Sequence, residues 1–161
     1  MRCIIDANIL IDLSRGDLLT WFFALPFQFA APDGVLDELV EPDRERLWQT
    51  GMQCAALTDE RLLAAALLSA EHRRLSLGDC TALIAARDAQ VMLLTGDAGL
   101  RALAQEHGVV VHGVLWVLDE LEAASLLDGP ALAVCLRRML AGDARLPADE
   151  CSACLKRWEY P

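Results

Sequence analysis

The sequence predicts an α/β fold, a three-layer sandwich whose central five-stranded, mainly parallel sheet is flanked by helices. Three observations lead there. Short apolar runs of strand length alternate with longer Ala- and Leu-rich segments along the whole chain, the order that βαβ units produce. Hydrophobic residues make up 55% of the chain and aromatics only 6%, a mix that favours helices laid over a sheet. The 161 residues suffice for a single domain with a proper core.

Each element follows from local pattern. Cys3-Ile4-Ile5 breaks on Asp6, and Ile9, Leu10 and Leu13 follow at helical spacing. That reads as a buried strand, a carboxylate at its C-terminal tip, then a helix. Gly16-Asp17 opens a short helix through Leu25, residues 27–31 alternate as a second strand, and Pro32-Asp33-Gly34 turns the chain. Asp33 is expected to cap a helix carrying Val35, Leu36, Leu39 and Val40, with Glu38 one to two turns inside it. Residues 42–50 read as a short helix stopped by Gly51, and 52–57 as the third strand. Thr58 opens a long helix to about Arg74, with Asp59 and Glu60 at its start and Arg73 and Arg74 at its end, as the helix dipole favours. A further helix starts within residues 75–79 and runs to Ala89; 91–94 is the fourth strand. Residues 98–107 form a helix closed by Gly108, and 109–112 the fifth strand. Helices over 113–124, 130–141 and 147–158 complete the chain. No repeat, low-complexity stretch or long linker interrupts it, so 1–161 reads as one domain.

Composition excludes several classes. The net charge of −10, from 24 acids against 14 bases, does not advertise a basic groove for nucleic acid. An acidic protein still acts on phosphates when metal ions stand between its carboxylates and the substrate. Phosphate-contacting arginines must then be local; Arg73-Arg74, Arg101 and Arg137-Arg138 are the candidates, though each taken singly fits a solvated helix face better. No apolar run approaches the roughly 20 residues that span a bilayer. The chain opens directly on its first strand, so a cytoplasmic protein without a signal peptide is expected, with no membrane partner. Cys3, Cys54, Cys80 and Cys135 sit among apolar residues and read as buried thiols. Cys151-Ser152-Ala153-Cys154 is a lone CxxC without the two further ligands that zinc needs.

What remains is acidic. Asp6 ends the first strand, Asp97 lies three residues past Leu94, Glu38 follows the second strand, and Asp79 opens the helix before the fourth. The tips of parallel strands point one way, so these side chains can converge. Each also has a plain structural explanation. Asp6 suits a turn, Asp79 completes a capping pattern with Ser76, Asp97 caps the helix from Ala98, and Glu38 fits an exposed helix face beside Asp37.

As an ordered set, these marks resemble the PIN domain family of metal-dependent nucleases, which includes the VapC-type toxins. The resemblance runs through Asp6-Ala7-Asn8, Glu38-Leu39, Gly78-Asp79 with Ala82-Leu83-Ile84-Ala85, Thr95-Gly96-Asp97, and Val111-His112-Gly113. It covers residues 2–115; the helical part over 116–161 carries no matching motif. The resemblance implies a Mg²⁺- or Mn²⁺-dependent ribonuclease with Asp6, Glu38, Asp79 and Asp97 as its catalytic and metal-holding residues. Carboxylates are hard oxygen ligands suited to those ions. Asn8 and Thr95 stand beside them as supporting residues, to orient a carboxylate or a phosphate or to satisfy turn backbone. Asp12, Asp37 and Asp88 match no family position. The implied partners are an RNA substrate, an antitoxin and a second copy in a homodimer; Trp21-Phe22-Phe23, Trp158 and Tyr160 serve either such contacts or the core.

The rival reading is a non-catalytic PIN-fold module that binds RNA or protein, against which the four intact acids argue. A nucleotide-binding protein would need a glycine fingerprint, and Thr95-Gly96-Asp97-Ala98-Gly99 lacks the lysine and spacing of a phosphate loop. No Gly-x-Ser-x-Gly elbow occurs, and the histidines at 72, 107 and 112 have no metal spacing.

Overall fold

A computed structural model describes residues 2–159. Five strands, β1 (Arg2–Ile5), β2 (Gln28–Ala31), β3 (Gln53–Cys54), β4 (Met92–Leu94) and β5 (Val111–His112), form one sheet in the order β3-β2-β1-β4-β5. All four pairings are parallel, as the alternation of elements predicts. β1 lies at the centre, with Ile4 level with Ala30 on one side and Leu93 on the other. Both its faces are covered, and Cys3, Ile4 and Ile5 are buried.

The helices divide into two layers. On one face α1 (Ala7–Arg15) packs against α2 (Leu19–Ala24), α8 (Val114–Ala123) and α9 (Gly129–Ala141), with α10 (Ala148–Glu159) behind α9. On the other, α6 (Leu77–Ala89) lies on β1 and β4 between α3 (Asp33–Leu36), α5 (Asp59–Glu71) and α7 (Ala98–Glu106). The short side chains of Ala82, Ala85 and Ala86 let α6 approach the sheet closely, and all three are buried. On the opposite face Phe22 stacks on Phe29 with ring centroids 3.9 Å apart. Among the described residues no helix is long and apolar enough to cross a membrane.

Several elements are shorter than the periodicity predicts. The helix after β2 ends at Leu36, so Glu38 lies in the turn beyond it rather than inside it. The amides of Glu38 and Leu39 reach only the carbonyls three residues back, at 3.3 Å each. Val40 is exposed, so the apolar pattern there is not a buried face, and Pro42 prevents a further turn. Asp33 sits in the first turn of α3 and Pro32 holds the cap position. α4 (Arg44–Gln49) is capped by Asp43, which accepts from the Arg46 amide at 2.7 Å. Gly51 at φ +101° ends that segment with a backbone that favours glycine. β3 keeps only two exposed residues of the six expected, and α5 stops at Glu71, short of Arg73 and Arg74.

Two expectations about side chains need correction. Cys54 lies exposed on the edge strand and Cys135 is half-buried, while Cys3 and Cys80 are buried as expected. Trp158 and Phe22 belong to the core and Trp21 is exposed; Tyr160 lies outside the described residues.

Candidate active site

The sheet order places a topological switch between β1 and β4, because the chain leaves one toward β2 and the other toward β5. A crevice opens at such a point, beyond the C-terminal ends of the strands. Asp6 follows β1 there, and Thr95, Gly96 and Asp97 follow β4.

Asp6 is 1% exposed and caps α1 with its own side chain. The Ala7 amide donates to Oδ1 at 2.7 Å and the Thr95 hydroxyl donates to Oδ2 at 2.8 Å. The Asn8 amide reaches Oδ2 only at 3.5 Å, and Asn8 itself is exposed to the cleft. Thr95 is fully buried, and its oxygen accepts from the Asp97 amide at 3.1 Å. One threonine thus ties the two strand tips together, a stronger role than that of a turn residue.

The other acids also cap or anchor. Asp97 Oδ1 accepts from the Leu100 amide at 2.7 Å and so caps α7. Asp79 Oδ2 accepts from the Ser76 amide at 2.7 Å while Ser76 returns the bond, a complete capping box on α6. Glu38 Oε1 accepts from the Gly78 amide at 3.1 Å, across 40 residues of sequence. Gly78 makes that approach feasible, because a Cβ there would lie 2.3 Å from Glu38 Oε1.

The acids influence one another pairwise, Asp6 with Asp79 and Glu38, and Asp79 with Glu38 and Asp97. Burial, opposed by the Thr95 and Ala7 hydrogen bonds and reinforced by repulsion from Asp79 and Glu38, pushes the Asp6 carboxyl up to about 7. The Asp79 carboxyl is also raised, first by burial, with Glu38 and then Asp97 adding repulsion. Each plain structural explanation for Asp6, Asp79 and Asp97 is therefore true, yet it accounts for only part of the carboxylate's environment.

Among the described residues no three His, Cys, Asp or Glu side chains are drawn together tightly enough to enclose an ion. In chemistry, though not in spacing, the donor set suits a hard divalent cation. It consists of carboxylates alone, and Glu38 Oε2, Asp79 Oδ1 and Asp97 Oδ2 accept no hydrogen bond among the described residues. Mutual repulsion is the force that a cation would relieve.

The remaining acids and cations fall elsewhere or have other work. Asp12 is buried against Arg15 at 3.3 Å, Asp88 pairs with Arg61 and Arg87, and Asp37 meets Arg44. Arg137 and Arg138 face Glu159 and Asp17. Arg101, indistinguishable in sequence from any solvated helix cation, donates to the Thr95 carbonyl at 3.2 Å and stands beside the centre. Burial and Arg101 lower the His112 pKa below its ordinary value. The stacking of His112 on Trp116, 4.5 Å between centroids, went unanticipated; its only sequence signal is two flat rings four residues apart at a strand tip. Cys151 and Cys154 are buried free thiols whose pKa values burial raises, which makes them poor thiolate ligands.

No curated protein matches the chain. The family model described as PIN domain matches residues 2–160, which includes every site residue and the helical tail that sequence motifs left unassigned. With that match spanning almost its whole length, this protein belongs to the PIN domain family.

Proposed function

We propose that this protein is a Mg²⁺- or Mn²⁺-dependent endoribonuclease whose working residues are Asp6, Glu38, Asp79 and Asp97. The observation that carries this reading is a buried carboxylate at the switch point, Asp6, raised to about 7 chiefly by burial and further by Asp79 and Glu38, with Asp97 acting in turn on Asp79. Such a centre costs folding stability unless something positive occupies it. A bound divalent ion would neutralise phosphate charge and make an attacking water more acidic. Asp6, Glu38, Asp79 and Asp97 would hold that ion, directly or through water. Thr95 fixes Asp6 and the Asp97 backbone relative to one another, and Asn8 offers an amide to a phosphate oxygen at the cleft mouth.

The test is cleavage of end-labelled RNA with Mg²⁺ or Mn²⁺. Activity should require the ion, stop with EDTA, and be lost in Asp97→Asn, whose fold should survive. Metal-independent cleavage, or full activity in that variant, overturns the assignment. The capping bonds made by three of the four acids favour one alternative, a PIN-fold module that binds RNA or protein without cutting. RNA binding without cleavage at any metal concentration would establish it.

Gly78→Ala tests Glu38 without touching it. The new methyl must displace the Glu38 carboxylate. Glu38 is exposed and can swing away, and alanine is favoured over glycine in a helix by up to about 1 kcal/mol. Stability in urea should therefore hold or rise while cleavage falls. Unchanged cleavage removes Glu38 from the site.

As a toxin of a toxin–antitoxin pair, the protein would work as a homodimer restrained by an antitoxin. Growth arrest on expression, relieved by co-expressing the product of an adjacent small gene, would support that role.

A further inference from the structure

The crevice does not end at the carboxylates. One hollow, of about 960 Å³, is lined in part by Asn8, Asp97 and Arg15. A second, of about 920 Å³, is lined in part by Arg101, His112, Trp116 and Pro147. Gly96, Ala98 and Arg145 line both, so the two run together past the tip of β4.

The second hollow has its own chemistry. His112 and Trp116 stack with planes 20° apart, and Phe27 backs Trp116 at 5.8 Å between centroids. Both rings remain half-exposed. Arg101 is pinned by the carbonyls of Thr95 and Val111 at 3.2 and 3.5 Å. Neither Arg101 nor Arg145 is among the arginines that pair with a carboxylate in the described residues. Two such guanidinium groups stand beside a flat aromatic pair, the combination that a base and its phosphates require. Two acids also line the hollow. Asp119 is held by Arg157, and Glu150 sits in the first turn of α10, where the helix dipole favours it.

We propose that this hollow is a nucleotide subsite in which an unpaired base of single-stranded RNA stacks on the His112–Trp116 pair. Its neighbouring phosphates meet Arg101 and Arg145, and the strand continues past Asp97 toward Asn8. A paired base cannot present its face to protein rings, so the subsite selects single strands. The identity of the strand rests on the ribonuclease reading; the stacking surface and its cations do not.

Binding of a fluorescein-labelled single-stranded RNA hexamer, followed by anisotropy in EDTA, separates the two. Trp116→Ala should weaken binding roughly tenfold, as expected for the loss of one stacked base. Arg145→Ala, at an exposed side chain that folding does not need, should weaken binding several-fold and flatten its salt dependence by about one phosphate contact. If Trp116→Ala fails to fold, Arg145→Ala decides alone. Loss of binding in the variants, with a parent that binds yet never cuts in Mn²⁺, upholds the subsite and removes the nuclease reading. A parent that cuts, with variants that bind and cut as it does, overturns the subsite and leaves the nuclease reading standing. A parent that does not bind the hexamer at low salt overturns the subsite outright.

Discussion

Asp6→Asn should lose cleavage by about 100-fold or more and yet yield a protein that is more stable above neutral pH. The two effects have one cause. The Asp6 carboxyl titrates at about 7 in the folded chain against an ordinary 3.8, chiefly because it is buried, with Asp79 and Glu38 repelling it. A group raised in this way contributes stability that is fully present below pH 3.8 and is lost as pH climbs through 7. Converted at 1.36 kcal/mol per unit, the loss is on the order of 4 kcal/mol. Asparagine carries no charge to lose. Its oxygen can accept from the Ala7 amide, while its NH₂ faces a Thr95 oxygen that already accepts one bond and has a second lone pair. The hydroxyl proton of Thr95 then loses its acceptor, a fixed cost of about 1 kcal/mol at every pH. Urea unfolding of parent and variant from pH 4 to 8, without metal, should show a difference that grows with pH in favour of Asp6→Asn and levels off above 7. A flat difference would mean that Asp6 is ionised at no cost, and the coupled-carboxylate account would be wrong. Mn²⁺ should stabilise the parent and do much less for the variant.

Trp158→Ala should be the most destabilising single change in the C-terminal part. The side chain is 1% exposed, and its Nε1–H donates to Glu122 Oε2 at 2.9 Å. It presses on the backbone of Gly129, where a Cβ would lie within 3.1–3.3 Å of Trp158 atoms. Truncation removes the ring that joins α10 to the start of α9 and to α8. A loss of roughly 3–5 kcal/mol is expected, which is a fall in melting temperature on the order of 10 °C for a chain of this size. Limited proteolysis should then open the segment around residues 143–147, and with it one wall of the second hollow. Glu122→Gln, which keeps an acceptor for the indole, should cost far less. A melting temperature within a degree or two of the parent would show that the tail is held by something other than Trp158.

The sheet was legible where apolar runs mark its strands, as at Ile4 and Ile5 and at Met92–Leu94, and less so at β3, whose Gln53 and Cys54 are exposed. Asp6 and Asp97 were placed because each breaks or follows an apolar run. Glu38 was harder. Its surroundings come from the Gly78 amide 40 residues away, and no local pattern encodes that bond. Helical periodicity through Leu39 and Val40 misplaced it on a helix that stops at Leu36. For Thr95 the sequence left two roles open, orienting a carboxylate or satisfying turn backbone, and the sheet supplies the first by bringing it against Asp6 across 89 residues. Arg101 could not be separated from Arg73, Arg74 or Arg137 by sequence, since only the pairing of β4 with β5 brings it under the carbonyls of Thr95 and Val111.

The two outer strands, β3 and β5, are two residues long each. A sheet extends into a neighbouring molecule through the unpaired amides and carbonyls of its rim, and strands this short leave few of them in a row. The rim is therefore a poor template for strand-to-strand growth, and a net charge of −10 adds long-range repulsion between copies. Contacts between copies would fall instead to side chains on the helices and loops. The outward leucines of α5, Leu62, Leu63 and Leu67, are the kind of surface that can make them. Crowded solutions of this protein should accordingly resist fibre growth.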